Sequence, residues 1–113
     1  MPDAFELVRT LAADDLDGRD NETPGSERAQ DVLVEWLTAF ATPLPGAEGF
    51  RQSFDEGTNL IGVVTGAELP DEYVVIGAHY DHLSGVACAG QTVDDTVCNG
   101  AADNAAGVAA AIS

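Results

Sequence analysis

Two apolar runs, "TNLIGVVTG" at 58–66 and "YVVIGAH" at 73–79, constrain this chain more than any other feature. Each is short, nearly continuous and rich in β-branched residues, the pattern of strands covered on both faces rather than one. "AELPDE" separates them, with Pro70 and Asp71 as turn residues. A third, weaker segment over about 50–55 alternates Phe50 and Phe54 with polar neighbours, as a half-buried edge strand does. Strands of about 50–55, 58–65 and 73–79 therefore need helices on both sides. The expected fold class is α/β.

Helical periodicity supplies those layers. Phe5, Val8, Leu11 and Ala12 recur at helical spacing and predict a first helix over about 3–14. "LDGRDNETPG" interrupts it with Gly18, Pro24 and Gly25. A stronger stripe of Ala29, Val32, Leu33, Trp36, Leu37 and Phe40 predicts a second helix over about 26–41, packed on the sheet and capped by Thr23 or Ser26. "NGAADNAAGVAAAIS" predicts a third helix from about Asp103, with Gly107 allowing close packing on the sheet. Three strands are too few to cover these faces, so the 113 residues are expected to form the amino-terminal part of a larger domain.

Twenty acidic residues oppose four arginines, lysine is absent, and the formal net charge is -16. Nucleic acid and anionic membranes both select basic surfaces, so neither is an expected partner. The acids are spread along the chain rather than gathered in a tail, which points to an evenly acidic surface; with lysine absent, a salt-adapted protein is expected, an acidic mesophilic protein or a nucleic-acid mimic being the alternatives. No run approaches the ~20 apolar residues of a membrane span. The amino terminus lacks the basic start and apolar core of an export signal, so a cytoplasmic location is expected as the sequence stands, and a secreted or periplasmic one if residues precede Met1. Cys88 and Cys98 have the wrong spacing for a CxxC metal knuckle; a disulfide and two free thiols both remain open.

The chemistry gathers where the third strand ends. "VVIGAHYDHLS", residues 74–84, passes from apolar residues directly into His79, Asp81 and His82. In open α/β sheets ligands collect at the carboxyl ends of strands. Imidazole and carboxylate are zinc donors, and Asp103 at a helix start is placed to return to the same edge. Each residue alone has a plainer reading, a surface histidine or a helix-start acid; together they point to a site.

"LDGRDNETPGSERAQDVLVEWL", "TNLIGVVTG", "EYVVIGAHYDHLS" and "NGAADNAAGVAAAI" occur in the order found in the M28 zinc peptidases, and the chain resembles that family over nearly its whole length. The resemblance implies a three-layer αβα, phosphorylase/hydrolase-like zinc exopeptidase fold with a mixed sheet, present here only as its amino-terminal part, and a zinc-dependent exopeptidase of the aminopeptidase type, with two Zn2+ per complete active site and a peptide or protein as substrate. It implies that His79 binds one zinc, that Asp81 orients the His79 ring, and that Asp103 bridges the two zincs; His82 is not implied as a ligand. Ala102 and Ala106 replace residues usual beside the bridging aspartate, without removing a ligand. The family's adjacent glutamate pair, which includes the general base, is absent from these residues, so the chain alone is expected to be inactive. A glutaminyl-cyclase-like relative and a non-catalytic acidic binding module on the same scaffold are the alternatives. Oligomeric state and side-chain preference are not legible.

A charge of -16 makes self-repulsion a major destabilising force, and salt relieves it: the Debye length falls from about 10 Å at 0.1 M to about 3 Å at 1 M. The melting temperature should rise clearly in molar potassium chloride. A flat salt dependence would rule out the salt-adapted reading.

Overall fold

The computed structural model describes residues 1–88 and 94–113. Helix α1 spans Ala4–Leu11, its first turn capped by Asp3, whose carboxylate accepts the Glu6 amide at 2.9 Å. A 3-10 segment follows at Asp14–Arg19. Helix α2 spans Pro24–Thr38, and Thr23 is its cap: its Oγ1 accepts the Ser26 amide at 3.2 Å, with Pro24 in the first turn where no amide donor is needed. Strands β1, Arg51–Phe54, and β2, Gly57–Leu60, form an antiparallel hairpin in which Phe54 faces Gly57 and Arg51 faces Leu60. Just past β2, an isolated antiparallel bridge pairs Val63 with Thr42, which precedes β1. Helix α3 covers Ala106–Ile112 and follows a wide π-type turn at Ala101–Ala105.

The core is helical. Leu7 and Leu11 from α1, Leu16 from the 3-10 segment, Ala29, Leu33 and Trp36 from α2, and Ala105, Val108 and Ala109 around α3 form one buried cluster. Leu60 and Tyr80 pack on its margin. The expected helix-on-sheet packing of α2 is therefore corrected: two strands of four residues cannot cover its stripe, and β1 is exposed along its length, so the helices cover one another. The register of α1 is also corrected. Leu7 and Leu11 face inward and Phe5 is exposed, because the stripe that meets α3 runs through positions 7, 8 and 11.

The expected strand at 73–79 is not formed among the described residues, and β2 stops at Leu60 rather than 65. Val74, Val75 and Ile76 stand 91%, 90% and 72% exposed. A run of this kind becomes a strand only when neighbours supply its ladder and cover its faces, and the described residues provide neither. The radius of gyration, 15.1 Å, accordingly exceeds the about 13 Å of a compact chain of this length. A mixed helix and strand arrangement with a two-stranded sheet is compatible with part of an α/β domain. The loop from Leu83 to Ala102 lies partly outside the described residues, with 89–93 unassigned. No described helix is long and apolar enough to cross a membrane.

Cys88 and Cys98 form a disulfide, with Cα atoms 5.7 Å apart. Closing that loop contributes about 2–3 kcal/mol in the chain-entropy account. Unfolded, unreduced protein should show no titratable thiol, and reduction should lower the melting temperature. Two free thiols would contradict the bond.

Candidate functional site

The site begins at a turn that sequence periodicity treats as a break. Asp17, Gly18 and Arg19 are consecutive left-handed residues, with φ of 45°, 76° and 57°. Gly18 is required there: a Cβ would lie 1.9 Å from the Leu83 carbonyl oxygen. That contact seats the turn against the chain that leaves His79, and it sends the Arg19 side chain inward, where it is fully buried. Burial lowers the Arg19 pKa, with Asp81 acting against that shift.

His79, Asp81, His82 and Asp103 come together around this turn. His79 Nε2 lies 3.3 Å from Asp103 Oδ1, and His79 Nδ1 lies 3.3 Å from Asp81 Oδ1 and 3.2 Å from the Asp81 carbonyl. His82 Nδ1 is 3.8 Å from the other Asp103 oxygen. The imidazole thus has a carboxylate at each ring nitrogen. An Nδ1–H donated toward Asp81 leaves the Nε2 lone pair toward Asp103, the tautomer a metal-binding histidine adopts.

The segment carrying Asp103 has its own local reasons. Gly100, at φ 62°, begins the π-type turn, and a Cβ there would meet the Asp103 carbonyl oxygen, Arg19 Nη2 and His82 Cδ2 within 2.8 Å. The Asp103–Asn104 peptide bond is cis. Asn104 Nδ2 donates to the His79 carbonyl at 3.4 Å. Gly107 serves this asparagine rather than a sheet, since a Cβ on it would come 2.3 Å from Asn104 Oδ1. Sequence reasoning missed Arg19, Asn104 and the true role of Gly107; the signal for the last two was their position beside Asp103.

Two donors about 2.0–2.1 Å from one tetrahedral zinc lie roughly 3.3 Å apart, which the His79 Nε2 to Asp103 Oδ1 separation matches. The pair fits two places of a zinc site. Among the described residues no group of three or more His, Cys, Asp or Glu converges to complete one. His79 and Asp103 are also on open surface, with side chains 56% and 71% exposed. A cleft of ≈ 290 Å³ lies instead between α2 and the hairpin, lined by Glu22, Ser26, Gln30 and Thr58 among others.

The stretch that builds this geometry is also the stretch that a known family explains. Residues 59–113 match the model of peptidase family M28. The resemblance read from the sequence is thereby borne out over these residues, and the match is consistent with an M28 family fragment and with a hydrolase of the peptidase type. Amino-terminal to the match, residues 1–58 contribute α1, the buried arginine and α2. No solved structure matches the chain.

Tyr80 ties the histidine segment to the hairpin, its hydroxyl donating to the Thr58 carbonyl at 2.7 Å. Burial raises the phenol pKa, opposed by Ser26 and the Arg51 charge, so the hydroxyl remains a donor. Tyr80→Phe should lower stability by about 1 kcal/mol, and chemical denaturation should register it as a lower midpoint with unchanged slope.

Proposed function

We propose that this chain is part of a zinc-dependent exopeptidase of the aminopeptidase type, in which His79 and Asp103 are zinc ligands and Asp81 orients His79. The observation that carries the reading is the 3.3 Å approach of His79 Nε2 to Asp103 Oδ1, formed by residues 24 positions apart within the M28-matching stretch. Zinc, when bound, would supply charge stabilisation and a water acidified toward neutrality. Asp103 is suited to bridging, because its second oxygen points away from His79 toward His82 and remains available to another cation. Asp81 holds the opposite ring nitrogen, which keeps the Nε2 lone pair directed at the site. A peptide or protein is the substrate class, held by its unprotonated amino terminus. The acidic surface favours neither nucleic acid nor membrane as partner, and it fits a salt-rich setting.

Proton transfer is the step these residues do not perform. In this reading the carboxylates of Asp81 and Asp103 are assigned to orienting His79 and to holding zinc, so neither is the base for an attacking water. A positioned base contributes about 10² to 10⁴ in rate, so the 113 residues alone should bind zinc weakly and hydrolyse nothing.

Calorimetric zinc titration and a leucine-anilide assay test this together. Expected are weak zinc binding that disappears in His79→Ala and Asp103→Ala, no turnover by the 113-residue chain, and zinc-dependent turnover when the family's glutamate pair is supplied by a complete M28 domain containing this sequence. Zinc-dependent turnover by these residues alone would overturn the assignment of the base. Zinc binding untouched by either substitution would overturn the assignment of the ligands.

A further inference from the structure

Arg19 is the one fully buried charge in the described structure, and its partners are all backbone carbonyls. Nε donates to Tyr80 O at 2.7 Å; Nη1 donates to Leu11 O and to Asn99 O, the latter at 2.8 Å; Nη2 donates to Gly100 O at 3.2 Å. Tyr80 sits directly between His79 and Asp81. Asn99 and Gly100 lead into the turn that carries Asp103, and the Ala105 amide closes that turn on the Gly100 carbonyl at 3.1 Å. One rigid guanidinium therefore grips the histidine segment and the aspartate segment at once, while its own backbone is fixed by the left-handed turn seated on Leu83.

We infer that Arg19 is the positioning residue of the candidate site, setting the separation of His79 and Asp103 through the carbonyls of Tyr80, Asn99 and Gly100. The inference rests on the zinc-site reading only for what the pair would hold; the positioning itself is independent of any metal. Lysine cannot replace it. An ammonium offers three donors from a single point, whereas these four carbonyls lie around a planar fork and need donors fixed in different directions. Gly100 makes the arrangement possible, because a side chain at that position would collide with Arg19 Nη2. Asn104 Nδ2 also crosses this gap, to the His79 carbonyl, but as a single long bond of 3.4 Å, and Asn99 Nδ2, bonded to the Ala12 carbonyl at 2.8 Å and to Asp14 at 2.6 Å, anchors the loop to the amino-terminal helix without reaching the histidine segment.

The test uses the 113-residue chain and its Arg19→Lys and Arg19→Gln variants. Residue-resolved amide hydrogen exchange without metal reports the positioning, and cobalt(II) titration followed by its visible absorption reports the ligand pair. In Arg19→Lys, exchange at 80–82 and 100–105 should accelerate together by about tenfold, the loss expected for hydrogen bonds from a charged group, while amides in the middle of α2 keep their protection. Cobalt affinity should fall about 10- to 100-fold, with an altered spectrum. Unchanged exchange at both segments would overturn the inference. So would a uniform loss of protection across the chain in both variants, since the arginine would then hold the fold as a whole. Accelerated exchange at the two segments in a chain whose wild type binds no cobalt would support the positioning role and sink the zinc reading. Cobalt binding by the wild type that is equally tight in both variants would do the reverse.

Discussion

Burying a guanidinium without solvent is costly, and a protein sustains it only when the donors are satisfied and the charge is met by oriented dipoles. Arg19 meets that condition with four carbonyls drawn from α1, from the segment after His79 and from the approach to Asp103. The three segments are far apart in sequence; the hydrophobic core also draws on them, through Leu11, Tyr80 and Ala105, but Arg19 bonds their backbones directly. What the helical core does for α1, α2 and α3, the arginine does for the loops. Removing it would leave carbonyls unpaired in the interior as well as an empty volume, so its effect spreads to everything the carbonyls position.

The sequence disclosed the parts of this structure that depend on local rules. α2 was legible because six apolar residues at helical spacing and a Thr-Pro start agree, and Ala29, Leu33 and Trp36 are buried as that spacing requires. The two strands of the hairpin were legible in outline from the alternation of Phe50 and Phe54 with polar neighbours and from the apolar run that begins at Thr58, whereas their pairing was not. Val74 to Ile76 show where local rules end. Their pattern is that of a strand enclosed on both faces, but enclosure is a property of neighbours, and a segment cannot bring its own. Phe5 failed for a related reason: helical spacing defines a stripe, while the surface it meets decides which edge of the stripe is covered.

At the site the balance differed. Motif order singled out His79, Asp81 and Asp103, and in the structure each carboxylate lies within ion-pair distance of the His79 ring. Arg19 was not readable, because an arginine between glycine and aspartate in a turn has the composition of an exposed loop. Its burial follows from the left-handed backbone at 17–19, and of those three residues only Gly18 carries a sequence signal for that conformation. Gly107 was read as a packing glycine, correctly in kind but against the wrong partner: the close neighbour is the Asn104 side chain, whose amide reaches back to His79.

Charge connects the site to the rest of the molecule. All four arginines are committed: Arg9 to Glu6, Arg28 to the Asp15 carbonyl, Arg51 to Asp31 and Gln30, and Arg19 to the interior carbonyls. Arg19 is the cation behind the site, and its donors point at backbone dipoles rather than at the Asp81 or Asp103 carboxylates. The two carboxylates around His79 are therefore not neutralised by an arginine partner, and they stand within a chain of net charge -16. The field at that point is negative, which attracts cations and repels anions over the range set by the Debye length. An arrangement that spends the hydrogen bonds of its buried arginine on carbonyls leaves both acids without an arginine salt bridge among the described residues, the Arg19 charge reaching Asp81 only through space, while still fixing the backbone that carries them. The same guanidinium thus sets the geometry of the His79–Asp103 pair and leaves its charge to be balanced from outside.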